Sequence, residues 1–399
     1  MFKPDNYNKY IGPKALFDPA FIPPHLLFRN KEQRSLNSIL SDSLSDEFYL
    51  NILYQGINGI GKNAIVNKVL NDISFQNKDL KDISKVCIYC KEKTFEELIF
   101  SIITSLISIL KLNFNLESLL NSNISHLWNI FKLLCKKIND KIFFIFSNVE
   151  HLKPKIIKKL MTIGKESKIT SIYTVNKTLR GTTIDILSEF DLKKRLSYFT
   201  YSELYSILKQ RISLSISHPV DRELVKYITD LICEQYVPVP GKGIEILRDL
   251  YPLFRDKHII RNRELIELCQ NNFDQMQIND EFSMLNYISE EEFLNIIFLD
   301  NLSNNFISQT KYYISLDELK EIYHISCESL EYNKNNHEFQ NLIKKLLNIG
   351  ILRRSKRNKH HSKQSFLKRD LKDDLFFMVI SPNQLKTIID TIFENFQSI

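Results

Sequence analysis

Residues 50–70 read LNILYQGINGIGKNAIVNKVL. The start, Leu50 to Tyr54, has the length and composition of a buried strand, and Lys62 to Leu70 carries apolar residues at helical spacing. Between them, Gly56-Ile57-Asn58-Gly59-Ile60-Gly61-Lys62 fits G-x-x-x-x-G-K and holds three of the chain's nine glycines. A strand, this loop and a helix in that order make a phosphate cradle. Glycines let the backbone wrap closely round phosphate oxygens. Loop N–H groups and the helix N-terminus supply positive potential, and Lys62 adds a point charge at the β and γ phosphates. The stretch from Gly56 through Asn63 and Ala64 is the candidate nucleotide site.

The position after the lysine departs from the motif. A Ser or Thr hydroxyl there would ligate Mg²⁺, whereas Asn63 offers an amide oxygen, a poor substitute. The partner strand departs too. Ile142-Phe143-Phe144-Ile145-Phe146 should end in acidic residues that hold the magnesium shell and orient the attacking water. It ends instead in Ser147-Asn148-Val149-Glu150. Neither Ser147 nor Asn148 carries charge, and Glu150, two residues later, is only a distant substitute. The expectation is a site that binds ATP or ADP with doubtful Mg²⁺ and slow or absent hydrolysis.

The rest of the N-terminal half repeats the alternation of strand and helix, the pattern of a parallel sheet with crossover helices. Strands are expected at Leu50–Tyr54, Val86–Cys90, Ile142–Phe146 and Ser171–Val175, with a weaker fifth near Leu196–Phe199. After about residue 200 the strands stop, and Ser202–Leu214, Asp221–Gln235 and Ile244–Phe254 read as helices. A polar stretch at Asn271–Asp280 marks a boundary. Beyond it come helices at Ser289–Leu302, Leu316–Ile325 and Asn336–Leu347. A turn at Gly350, a strand start at Ile351-Leu352, a basic run, a returning strand at Leu375–Ile380 and a last helix from Pro382 complete the outline of a winged helix.

A chain of 399 residues is too long for one core. The most apolar uncharged run, Leu98 to Leu110, is too short to span a bilayer and reads as a buried helix, so no membrane partner is expected. The opening MFKPDNYNKY lacks the apolar stretch of a secretory signal. Scattered cysteines suit a reducing, cytoplasmic setting. Cys87 and Cys90, three apart on a strand, point to opposite faces and read as core residues rather than a metal pair.

Several stretches resemble the archaeal replication initiators, which combine features of the eukaryotic origin-recognition complex and of the cell-division-control loader. They are LFDPAFIPPHLLFRNKEQRSLNSIL (16–40), NILYQGINGIGKNAIVNKVL (51–70), VCIYCKEKTFEELIFSIITSL (86–106) and YSELYSILKQRI (201–212). The likeness extends more loosely into the winged helix. It implies an α/β P-loop AAA+ core with a parallel sheet over residues 1–198, a helical lid over 199–278 and a winged-helix DNA-binding domain over 283–399. It makes Ile22, Pro23 and Arg29 counterparts of the adenine-covering residues, and Asn176 the counterpart of the polar sensor. The family's acidic pair falls on Ser147 and Asn148. Its lid arginine falls near Gly241 with only Lys242 close by, and no arginine finger is placed between Asn176 and Tyr198. These departures describe a divergent paralogue that binds nucleotide without cycling it.

The net charge of +7 is local: Arg353 to Arg369 holds eight Lys or Arg and no Asp or Glu. In a winged helix one helix enters the major groove while the ribbon tip follows the backbone. Lys344 and Lys345 on the helix, with Arg353, Arg354, Lys356, Arg357, Lys359 and Lys363 at the ribbon, are the candidate contacts to double-stranded DNA. They would give affinity and salt dependence rather than sequence information. The leading reading is an origin-binding replication initiator or regulator, nucleoid-associated in the cytoplasm, with other initiator subunits or the replicative helicase as partners. An active helicase-loading ATPase, and a signalling or transcription-regulating P-loop protein with a winged helix, are the alternatives.

Overall fold

The computed structural model describes residues 10–76, 83–91, 93–113, 116–138, 141–176, 187–255, 262–274, 293–355 and 374–397. They form two compact units, one of residues Ala20–Tyr198 and one that joins the described residues up to Pro19 to those from Phe199 onward. The short helix α1 (Lys14–Phe17) belongs to the second unit.

The first unit is built on β1 (Asn51–Gln55), β2 (Ser84–Tyr89), β3 (Ile142–Ser147), β4 (Thr170–Val175) and β5 (Leu192–Arg195), in the order β2-β3-β4-β1-β5. Each neighbouring pair is parallel. Around the sheet run α2 (Asn30–Ser45), α3 (Lys62–Gln76), α4 (Phe95–Ile109), α5 (Leu116–Leu120), α6 (Ile124–Lys136) and α7 (Pro154–Glu166). Every residue of β3 and β4 is buried, as a parallel sheet covered on both faces requires, and this is why β3 is a nearly continuous apolar run.

An aromatic file, Trp128-Phe131-Phe144-Phe146-Tyr173-Phe190, crosses this core with successive ring centroids 5.1 to 6.3 Å apart. The apolar run from Leu98 is the buried helix α4. It starts at a reciprocal capping box between Thr94 and Glu97, which satisfies two otherwise orphaned amides.

Two expectations need correcting. The fifth strand is Leu192–Arg195, not Leu196–Phe199. An edge strand paired only with β1 needs no apolar run, and three consecutive cations there protect the open edge from further pairing. Leu196 and Phe199 are buried just after it. Cys90 is buried as expected, but Cys87 is exposed, because β2 is the other edge of the sheet and leaves one face uncovered. Burial still raises the Cys87 thiol above its ordinary value. Among the described residues no cluster of His, Cys, Asp and Glu could hold a metal, and no helix is long and apolar enough to cross a membrane.

The second unit begins with four helices, α8 (Tyr201–Ser215), α9 (Arg222–Gln235), α10 (Pro240–Arg255) and α11 (Asn262–Asp274). The Ile11 and Gly12 amides donate to the Leu214 carbonyl, which fastens the N-terminal segment to the end of α8. There follow α12 (Phe293–Gln309), β6 (Ile314–Ser315), α13 (Leu316–Ser329), α14 (Asn336–Ile349), β7 (Leu352–Arg354), β8 (Leu375–Met378) and α15 (Pro382–Gln397). The three strands pair antiparallel in the order β6-β8-β7, the winged-helix ribbon with one strand more than the sequence shows. Helix α14 stops at Gly350, whose φ of 96° closes it in the left-handed conformation.

Buried polar contacts join the four helices to the ribbon. The Asp230 carboxylate on α9 accepts from the Tyr313 hydroxyl at 2.7 Å and the Ser355 hydroxyl at 2.7 Å. Gln235 donates to the Val379 carbonyl at 3.1 Å, and Gln270 to the Tyr227 hydroxyl at 2.8 Å and the Ile380 carbonyl at 3.3 Å.

Gly243 in α10 gives a test of this packing. Helix propensity alone favours Gly243→Ala by about 1 kcal/mol. A Cβ there, however, would lie 2.4 Å from Leu208 Cδ2 and 3.1 Å from Ile232 Cδ1. Both side chains are fully buried and have nowhere to turn. Overpacking should win, so Gly243→Ala is expected to lower unfolding stability by about 1–2 kcal/mol in denaturant titration. A stabilised variant would show that α8 and α10 pack less tightly.

Candidate functional site

The phosphate loop leaves the carboxyl end of β1, the rim where ligands bind in open parallel sheets. Its conformation needs glycine at two places: Gly59 and Gly61 have φ of 78° and 102°. A Cβ on Gly61 would meet nothing within 4 Å, so it is the positive φ and not lack of space that calls for glycine there. Buried Ile60 anchors the loop beneath. The loop is pinned to the sheet by the Gly56 amide, which donates to the Val175 carbonyl at 3.2 Å.

Lys62 opens α3 and is 5% exposed. Its ammonium donates to the Gly56 carbonyl at 2.6 Å, the Ile57 carbonyl at 3.0 Å and Asn176 Oδ1 at 2.8 Å. Burial pulls its pKa down to about 8, with the Glu150 carboxylate pushing the other way. Asn176, the residue that matches the polar sensor, thus lies against the loop lysine.

Asn63 is turned to the ends of the strands. Its Oδ1 accepts from the Ser147 hydroxyl at 3.3 Å and the Thr174 hydroxyl at 3.2 Å. The amide oxygen that would replace a magnesium-binding hydroxyl is engaged twice. Asn148 adopts a left-handed φ of 62° and donates to the Tyr89 hydroxyl at 3.4 Å. Both neutral residues at the acidic positions therefore make ordinary structural contacts.

The turn at Asn148 redirects the chain into a 3-10 turn, Val149–His151, and brings Glu150 to the loop. Its side chain is 10% exposed. Oε1 accepts from the Asn176 amide at 3.2 Å, while Oε2 is buried with no hydrogen-bond partner. Along the sequence Glu150 is a distant substitute, two residues past the acidic positions, and the turn shortens that distance. An Asn directly after the strand, the residue most tolerant of a left-handed turn, was the signal for the reversal.

The residues present fit a nucleotide's phosphates: a glycine loop, a helix N-terminus and a buried lysine with exchangeable acceptors. For a cation the set differs from the motif, since Asn63 is occupied and, among the described residues, the unpartnered buried oxygen at the rim belongs to Glu150. Of the adenine-covering candidates, Pro23 is buried and Ile22 half-buried. Arg29 is buried, with its guanidinium on Glu32 at 3.2 Å and the Ser197 carbonyl at 2.8 Å. A cavity of about 450 Å³ in the same unit, lined by Lys136, Lys141, Glu166 and Thr170 among others, lies at the opposite ends of β3 and β4 and contains no loop residue. In the second unit Lys242 pairs with Glu245 at 3.3 Å and sits over the Phe273 ring.

On the winged helix, Asn336, His337, Gln340, Asn341, Lys344 and Lys345 are all exposed along α14. A groove of about 370 Å³ runs beside them, with Lys320, Lys344 and Arg354 at its edge and Phe339 and Ile343 in its floor. Arg353 donates to the Leu347 carbonyl at 2.8 Å and approaches Glu234 at 3.8 Å. Arg354 pairs with Asp374 at 3.3 Å. Both are partly committed within the protein. Lys356, Arg357, Lys359 and Lys363 lie outside the described residues.

No protein-family model matches the sequence, and no curated protein matches it. Solved structures do. The chain is similar to Cdc6p from Pyrobaculum aerophilum, with a TM-score of 0.73 and 16% identity over 97% of this chain and 99% of that one. It is also similar to the Aeropyrum pernix ORC1 protein, solved in complex with DNA (TM-score 0.55, 14% identity, 96% of this chain and 98% of that one). A third similar structure is the Aeropyrum pernix ORC2 protein in ADPNP-ADP complexes (TM-score 0.53, 14% identity, 97% and 99%). At these identities the likeness establishes the fold, an α/β P-loop AAA+ core followed by a helical lid and a C-terminal winged helix.

Proposed function

We propose that this chain is a replication-initiator-like protein that binds double-stranded DNA through its winged helix and ATP or ADP at its phosphate loop, with hydrolysis impaired. The observation that carries the reading is the exposed polar face of α14, from Asn336 to Lys345, next to a run of eight cations in a winged helix. Long cationic side chains at that place suit the DNA backbone. The similarity to a protein solved with DNA and to another solved with ADPNP and ADP supports both ligands.

Impaired hydrolysis follows from the rim of the sheet. Neutral Ser147 and Asn148 can neither activate a water nor counter the charge of the departing phosphate. The nucleotide then acts as a held ligand that stabilises the core. Origin DNA in the cytoplasm, further initiator subunits and, through them, the replicative helicase are the partners this reading carries.

Three outcomes are expected. ATP or ADP at about 100 times Kd should stabilise the protein by about 2.7 kcal/mol, and Lys62→Ala should abolish the thermal shift. A shift retained in Lys62→Ala would remove the loop from the account. The second outcome concerns pH. With Lys62 near pKa 8 in the free protein, and the phosphate raising that value in the complex, binding takes up a proton above pH 8. Affinity should therefore be flat below about pH 7 and fall as pH rises through 8, by at most about tenfold per unit. A pH-independent affinity measured by calorimetry across that window would contradict the lysine contact. Third, Lys344→Ala with Lys345→Ala should weaken binding to unrelated duplexes alike and reduce the slope of log K against log salt by about 1–2. An unchanged slope would move the DNA contact off α14.

A further inference from the structure

Buried carboxylate oxygens without partners are costly, by several kcal/mol for a charged group. Glu150 Oε2 is one, at the rim where a nucleotide's phosphates would lie. The position is fixed from both sides. The Asn176 amide donates to Glu150 Oε1 at 3.2 Å while Asn176 Oδ1 accepts from the Lys62 ammonium at 2.8 Å. Glu150, Asn176 and Lys62 form one unit, and Glu150 acts electrostatically on the lysine. In the free protein the two opposite charges balance.

A polyphosphate arriving at Lys62 changes that balance. It neutralises the lysine and places several negative charges beside a carboxylate whose other neighbour, His151 Nε2, stands 3.9 Å from Oε1 and leaves Oε2 unpartnered. The arrangement is unfavourable unless a cation enters with the phosphate, and an oxygen-preferring divalent ion matches a free carboxylate oxygen. We propose that Glu150, reached through the left-handed turn at Asn148, is the residue of this chain that holds a divalent cation such as Mg²⁺, directly or through its water, when nucleotide occupies the phosphate loop. Glu150 takes over the cation-holding part of the missing acidic pair and leaves the water-activating part unfilled. The proposal rests on nucleotide binding at the loop.

The test measures the affinity of fluorescent ADP and ATP analogues in Mg²⁺ and in EDTA, for the full-length protein and for Glu150→Gln. The amide keeps the acceptor for the Asn176 N–H, and circular dichroism checks the fold. Wild type should lose affinity in EDTA on the order of tenfold or more, the usual size of coupling between two ligands. Glu150→Gln should bind equally in both media, and more tightly than wild type in EDTA, because the uncompensated charge is gone. By reciprocity, nucleotide should raise Mn²⁺ affinity in wild type, read by paramagnetic resonance of free Mn²⁺, and not in Glu150→Gln. Equal wild-type affinity in both media, or full Mg²⁺ dependence retained in Glu150→Gln, overturns the proposal while the nucleotide reading stands. No binding in either medium overturns both.

Discussion

A buried ammonium must place its three protons, and in this protein that requirement organises the rim of the sheet. Lys62 finds two acceptors in its own loop and the third on Asn176, at the end of β4. Loop and strand are thereby held at one spacing. Leaving one of those protons unpaired would cost about 1–3 kcal/mol, enough to bias the loop toward the shape that wraps phosphate. The Asn176 backbone then fixes Glu150, so one side chain determines where three elements meet.

The order of the sheet makes this possible. With β1 between β4 and β5, and β3 beside β4, parallel pairing brings the carboxyl ends of β1, β3 and β4 to one edge. The Ser147 and Thr174 hydroxyls meet on Asn63 for the same reason. A residue that departs from the usual motif has become a structural bridge between the helix that follows the loop and the ends of two strands. The neutral residues at this rim are thus integrated into the packing rather than left over from a lost function.

Much of this was legible beforehand because apolar runs and glycine spacing report directly on burial and backbone shape. The first four strands, the loop and the helical lid follow from those signals. The fifth strand did not, because LKKR at an edge is shaped by protection from pairing rather than by burial. Strand β6, two residues long, is too short for any periodicity. The place of Glu150 depends on a single left-handed residue, Asn148, which no spacing along the chain reveals. Asp230 gave no sign either: a carboxylate in a helix looks solvent-facing until the hydroxyls that bury it, from Tyr313 and Ser355, are brought in from far along the chain.

That carboxylate has a mechanical meaning. Ser355 directly follows β7, two residues into the cationic run, and Tyr313 stands immediately before β6; both grip one oxygen on α9. Gln235 and Gln270 clamp the returning strand just beyond. The ribbon is therefore not hung on a hinge. The described root of the ribbon is tied directly to α9 and α11. The lid helices and the root of the wing are thereby joined through one buried side chain, by hydrogen bonds from residues far along the chain.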